Sequence, residues 1–278
     1  MQGSVYVALV HNNNQVRNNY ARSKIESMVA SMQPNHQVKQ IEVSYQSEII
    51  PHGYGMAIIS DFMYQYLGSK WQKYRLLKKR KLREDYNFYK NLFVKYILNH
   101  NGVANKWRRN RAIEVMLTDK HIRAWLQFLD SEADYLVVFE DDVIFKEDSN
   151  LRINQLSFDL SQTHLNRPLY VDLGGGCSLA DLMISSLETR HDENYRYYQK
   201  PVTNTTCAYL ISRELIKKFN AILTRKPWLR LISIDWMINS LFISMGKDVS
   251  SVVCMHADPT IFNHGTKTGE YISWQANT

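Results

Sequence analysis

Residues 135–145 read YLVVFEDDVIF. Five consecutive apolar residues, 135–139, are the pattern of a central strand in a parallel sheet, whose two faces are both buried. Three carboxylates, Glu140-Asp141-Asp142, then stop it abruptly. Strand ends in open α/β sheets face the ligand crevice. Like charges held this close raise one another's pKa. A divalent cation relieves that repulsion, prefers oxygen ligands, and can bridge a diphosphate. Side-chain alternation puts Glu140 and Asp142 on one side and Asp141 on the other. Asp142 is therefore the expected metal ligand and Glu140 reaches a ribose or a metal-bound water, with Asp141 a third candidate contact to a nucleotide. An acidic surface turn or helix cap is the plain alternative. The apolar strand before the triplet and Val143-Ile144-Phe145 after it weigh against that.

Upstream, residues 4–10 (SVYVALV) read as a buried strand. A polar loop, 11–14, follows, then an amphipathic helix over about 16–32 that Pro34 and Asn35 break, and a second strand at 38–43. Strand, helix, strand opens a βαβ unit with a parallel sheet. The loop after strand one lies at the crevice in this class, so His11 is a candidate contact to base or ribose and Arg17 to phosphate, against a plain helix-cap role for the loop. Downstream, helix is expected from about 109 to 129, strand at 169–173 and at 207–211, helix at 213–223 and 234–245, and a last strand at 249–255. The tail from Pro259 reads as loop. Residues 54–106 differ: helical, basic and aromatic, they form a helical insertion within a single domain of 278 residues.

The chain is 45% hydrophobic and 22% charged, which is globular rather than disordered composition. It holds no run of 18 apolar residues, and its first residues lack a basic, then apolar leader, so a cytoplasmic location is expected. The net charge of +7 is uneven: eight Lys and Arg fall in 70–83, with Lys106, Arg108, Arg109 and Arg111 after them. Such density attracts phosphate, an anionic glycan or an anionic membrane face, or forms a solvated helix face. Interleaved aromatics and bases also suit single-stranded nucleic acid, though their near-helical spacing favours core packing. Three scattered cysteines, Cys177, Cys207 and Cys254, form no CxxC pair and read as small buried hydrophobes, not a zinc site.

The stretch 119–145, DKHIRAWLQFLDSEADYLVVFEDDVIF, resembles glycosyltransferase family 25, a group that includes lipooligosaccharide galactosyltransferases. That family carries a Ser-His-x-x-x-Trp helix before a strand ending in Glu-Asp-Asp. Here His121 and Trp125 match it, and Lys120 replaces the serine. Residues 205–212 (TTCAYLIS) resemble a second family segment, and Ile234-Asp235-Trp236-Met237 more weakly a third. The 54–106 insertion departs from the pattern.

The resemblance implies a GT-A fold, a nucleotide-sugar donor, UDP-linked and with galactose favoured, and Mn²⁺ or Mg²⁺ over Asp142. It implies transfer with inversion to a hydroxyl of a bacterial-type surface glycan, such as lipopolysaccharide or O-antigen. That acceptor would be lipid-linked or held at the membrane face by the basic insertion. His264, in the loop 263–269 (NHGTKTG), is the expected second metal ligand, and Lys267 pairs with the diphosphate. Inversion needs a base for the acceptor hydroxyl. Asp235, at the start of an apolar helix, is either that base or a dipole-favoured N-terminal acid, and the resemblance favours the base. His121, in mid-helix, reads as interior, and Trp236 as an acceptor stack or core. Asp172 and the three glycines after it sit beside a sugar. A nucleotidyltransferase is the other enzyme reading, but the 11–17 loop has no glycine for a triphosphate. No nucleic-acid partner is expected.

Overall fold

The computed structural model describes residues 4–12, 14–32, 38–44, 105–163, 167–182 and 184–272, with isolated positions between 63 and 90. Those isolated positions are all helical. The rest of the expected 54–106 insertion, and most of the basic segment 70–111, lies outside the described residues.

An eight-stranded sheet forms the centre. In chain order its strands are β1 (Val5–His11), β2 (Val38–Ser44), β3 (Tyr135–Glu140), β5 (Leu169–Asp172), β6 (Glu188–His191), β7 (Tyr195–Tyr198), β8 (Ala208–Ser212) and β9 (Val253–Ala257). Their order across the sheet is β2-β1-β3-β8-β5-β9-β7-β6. Strands β2, β1 and β3 are mutually parallel, as are β5 and β9, while β8 and β7 run against their neighbours. The sheet is therefore the expected mostly parallel one, with a reversed strand between β3 and β5.

The period-two pattern of the strands divides the core into two layers. Tyr6, Ala8 and Val10 of β1, with Leu136, Val138, Tyr209 and Ile211, face α2 (Asn105–Leu129), α4 (Arg213–Arg225) and α5 (Ile234–Ser244). Val5, Val7 and Leu9, with Val137, Phe139 and Leu210, face α1 (Gln15–Ser31) and α3 (Ser149–Thr163). A fully buried side chain such as Phe128 of α2 contributes about 3–5 kcal/mol against truncation to alanine.

Local chemistry fixes the helix ends. Asn14 caps α1 by accepting from the Arg17 amide, and Ser212 caps α4 by accepting from the Leu215 amide. Arg213 reaches back to α2, whose last carbonyls lack helical partners. Its guanidinium donates to the carbonyls of Phe128, Leu129, Ser131 and Ala133 and so fixes the turn that leads into β3.

Three expectations shift. The strand expected at 249–255 is β9 and begins at Val253, because 246–251 wind into a 3₁₀ turn. Helix α2 starts four residues before the expected Arg109. The tail is not all loop: β10 (Phe262–His264) pairs antiparallel with β4 (Val143–Phe145), and one helical turn, α6 (Gly265–Thr268), follows. Three-residue strands carry too little pattern to be read from sequence.

Candidate active site

Parallel strands β1, β3, β5 and β9 end on one edge of the sheet, and reversed β8 begins there. That edge gathers Glu140, Asp172 and the residues just before β8. The β3–β4 turn places Asp141 and Asp142 above it. The Glu140 amide donates to the Cys207 carbonyl at 2.8 Å, and the Gly265 amide to the Asp142 carbonyl at 2.8 Å. The turn is thus held between β8 and the C-terminal loop.

Asp142 and His264 come together as expected: His264 Nδ1 lies 3.2 Å from Asp142 Oδ2. Thr266 Oγ1 stands 3.3 Å from that oxygen and 2.8 Å from the same ring nitrogen. Cys207 completes a group in which one ligand atom from each of Asp142, Cys207 and His264 lies within 4.8 Å of the others. The expectation that Cys207 is only a small buried hydrophobe is therefore incomplete, whereas Cys254 is buried and Cys177 exposed. Asp142 Oδ1 and Asp141 Oδ2 are buried and have no hydrogen-bond partner. Unpaired buried carboxylate oxygens are costly, and Asp142 is the one of the two that stands in a group able to hold a cation. Burial, then the neighbouring Glu140 charge, pushes the Asp142 carboxyl up, while His264, Thr266 and Arg17 pull it down. Burial and Asp142 push Asp141 up likewise.

One oxygen of Glu140 turns inward. Its Oε1 accepts from Thr206 Oγ1 at 2.5 Å and lies 3.2 Å from His121 Nε2. Behind it runs a buried chain: His121 Nδ1 lies 2.9 Å from the Tyr209 hydroxyl, which accepts from Trp125 Nε1 at 3.0 Å. Burial lowers the His121 pKa to about 3, so its ring is neutral. With Nε2–H facing the carboxylate, Nδ1 is the acceptor and the Tyr209 O–H donates to it. The two sequence segments quoted above, around His121 and around Tyr209, thus meet at one hydroxyl.

Asp235 stands in the first turn of α5, near the same cluster. Its Oδ1 is closed off from solvent and has no partner. Burial, then the Glu140 charge, raises its pKa to about 7, against the opposing influence of His121 and Thr206. Lys120, where the family pattern has serine, is buried beneath the turn and donates to the His11 carbonyl. Burial lowers its pKa, and the Asp141 and Glu140 charges oppose that.

The remaining sequence candidates divide. Arg17 lies close enough for its charge to lower both turn aspartates, and it also donates to the Ile272 carbonyl and stacks 4.6 Å over the Tyr271 ring. His11 is buried and engaged with Asn12, Asn18 and Glu42, which makes it a support for the β1 loop. Lys267 is exposed on α6. Trp236 is partly buried against the core. Sequence reasoning passes over Thr206, Thr266 and Tyr271. Thr206 precedes a strand that runs backwards, so the rule that sites follow strands does not reach it.

Residues 118–238 match the family model described as glycosyltransferase family 25 (LPS biosynthesis protein). Over that segment, which is less than half of the chain, the sequence is similar to glycosyltransferase family 25. The matched segment holds His121, Trp125, the acidic triplet, Tyr209 and Asp235, and leaves out His264 and Thr266, which come from the C-terminal loop. No curated protein matches the chain. Among solved structures, one titled as a glycosyltransferase involved in the glycosylation of the major capsid of PBCV-1 is 9% identical over 98% of this chain and 95% of that one, with a TM-score of 0.39. Among the described residues no helix is long and apolar enough to cross a membrane.

Proposed function

We propose that this chain is a metal-dependent glycosyltransferase of lipopolysaccharide biosynthesis. On this reading it moves a hexosyl group, galactose favoured, from a UDP-sugar to an acceptor hydroxyl with inversion. The observation that carries this is the pairing of two functions on one sheet edge: orphaned, buried carboxylate oxygens beside His264, and a separate aspartate with its pKa at about 7.

Asp142 and His264, together with Cys207, would hold a divalent cation. When bound, the cation supplies charge neutralisation for the departing diphosphate. Arg17 adds positive charge on the same side. Asp235 has the pKa a general base needs near neutral pH. The acceptor oxygen bonds to the anomeric carbon, the bond from that carbon to the phosphate oxygen breaks, and the acceptor proton passes to Asp235. Thr206 donates to Glu140 and lowers the Asp235 pKa, so the new carboxylic acid sits near a hydroxyl that is already oriented. The neutral His121 keeps Glu140 turned inward, away from the reacting atoms.

The test is UDP release from UDP-galactose, UDP-glucose and UDP-N-acetylglucosamine, with Mn²⁺ and a lipopolysaccharide core acceptor. Turnover with at least one donor, lost in Asp142→Ala and Asp235→Asn, is expected. No turnover with any of them, together with unchanged UDP affinity in Asp142→Ala, overturns the proposal.

A further inference from the structure

Among the described residues no lysine or arginine is fully buried except Lys120, at 6% exposure. Burial penalises a charged ammonium, so a lysine there needs opposite charge close by. Lys120 is also the residue that departs from the Ser-His-x-x-x-Trp pattern, which has a neutral serine in its place.

The position of this charge is fixed from two sides. Lys120 precedes His121 on α2, and His121 Nε2 stands 3.2 Å from Glu140 Oε1. Lys120 Nζ donates to the His11 carbonyl at 2.5 Å. In the parallel β1–β3 ladder Val10 pairs with Glu140, so His11, the next residue, comes alongside Asp141. The ammonium is therefore held where β1 and β3 end, at the first two carboxylates of the triplet. A carbonyl satisfies one of its N–H groups but does not balance its charge. Glu140 and Asp141 do: burial lowers the Lys120 pKa, and these two charges oppose that, which favours the ammonium. In return, Lys120 is among the charges that pull both carboxyls down against the burial that pushes them up. It also reinforces the burial that keeps the His121 ring neutral. Asp142 is answered instead by His264, Thr266 and Arg17. The triplet is thus divided. Lys120 serves Glu140 and Asp141, while Asp142 stands with His264 and Cys207 in the group able to hold a cation.

We propose that Lys120 is a resident counter-cation of the acidic turn: a positioning residue that holds the turn closed before any metal ion binds, and that lowers the turn's affinity for one. The first half stands without the glycosyltransferase reading, and the second rests on its metal ion. A serine at this position carries no charge, so more of the compensation would fall to the bound cation. A fixed ammonium repels an incoming divalent ion, which sets the sign of its effect on metal affinity.

Hydrogen exchange of the full-length chain in EDTA tests the first half. The Glu140 amide, bonded to the Cys207 carbonyl, and the Gly265 amide, bonded to the Asp142 carbonyl, report whether the turn is closed. Wild type is expected to protect both to within about threefold of its Mn²⁺-saturated state. Lys120→Met should lose at least about tenfold of that protection in EDTA, and adding Asp141→Asn, which removes a repelling charge, should restore it. Lys120→Ser carries the same test if Lys120→Met does not fold. Mn²⁺ titration tests the second half: Lys120→Met and Lys120→Ser should each bind Mn²⁺ at least about fivefold tighter than wild type. Their turns remain closed most of the time, so the lost repulsion decides the sign. A merely structural lysine gives the opposite sign, since a disordered site binds metal more weakly. Wild-type protection that needs Mn²⁺, no loss in the variants, no rescue by Asp141→Asn, or Mn²⁺ affinity equal to or below that of wild type overturns the proposal. If none of the proteins binds Mn²⁺ or turns over a UDP-sugar, the metal-dependent reading fails, and exchange in EDTA still decides the role of Lys120.

Discussion

Replacing Tyr209 by phenylalanine removes one oxygen and leaves two buried groups alone. Trp125 Nε1–H loses its acceptor at 3.0 Å, and His121 Nδ1 loses its donor at 2.9 Å. Tyr209 and His121 are fully buried and Trp125 is 2% exposed, so water does not substitute. Each stranded group costs about 1–3 kcal/mol. Tyr209→Phe should therefore cost roughly 2–5 kcal/mol, slightly reduced because the hydroxyl itself no longer needs burying. That is a large share of the roughly 5–15 kcal/mol that holds a domain folded. Urea unfolding measures it, with a lowered midpoint and an unchanged slope. A double-mutant cycle with Trp125→Phe isolates the shared bond and should give a coupling of about 1 kcal/mol or more. Turnover should fall at least tenfold, since an imidazole no longer held at Nδ1 is free to release Glu140. A stability loss below about 0.5 kcal/mol, or no coupling in the cycle, refutes the Trp125–Tyr209–His121 chain as a support of the site.

Asp235 binds its proton more tightly in the folded chain, with a pKa of about 7 against an ordinary 3.8. The folded state then holds more protons between those values, so stability falls as pH rises from about 4 to about 7 and levels above that. Asp235→Asn should remove the fall, gaining up to a few kcal/mol at pH 8 relative to pH 4 in paired urea titrations, while turnover, which in the wild type rises through about pH 7, disappears. Mn²⁺ at a hundredfold over its dissociation constant should stabilise the wild type by about 2.7 kcal/mol in thermal unfolding, reversed by EDTA, and Asp142→Ala should lose the gain. Gly176→Ala drives a methyl group against Thr205 and His264. It should destabilise by about 1–3 kcal/mol and weaken Mn²⁺ binding at least tenfold; unchanged metal affinity would show that the close approach of Gly176 does not position His264.

The centre of this fold is legible in sequence because β1, β3 and β8 are apolar on both faces, a pattern that few arrangements besides a central strand produce. The acidic turn is legible for the same reason: charge ends such a strand only where something compensates it. Glu140 shows where that logic stops. Alternation correctly separates it from Asp141, but nothing local says that Thr206 and His121 draw it inward, since those partners lie 66 and 19 residues away. His264 is reached through its loop and a family resemblance, whereas Cys207 escapes because metal-ligand spacing rules search for pairs. The hairpin of β6 and β7 has exposed and half-buried residues at most positions and leaves no apolar trace.

The acidic turn also has a timetable. Thr266 meets Asp142 across 124 residues of chain, and β4 cannot pair until β10 exists. At synthesis rates of about 5–20 residues per second, Asp142 waits roughly 6–25 s for Thr266. During that interval β1 and β3 can already pair, whereas the glycines after β5, then β8 and then the histidine arrive in succession. The eight-stranded sheet is therefore a scaffold completed before the chemistry. A chain arrested just short of residue 264 would carry strands β1 to β9 with Asp142 lacking His264 and Thr266.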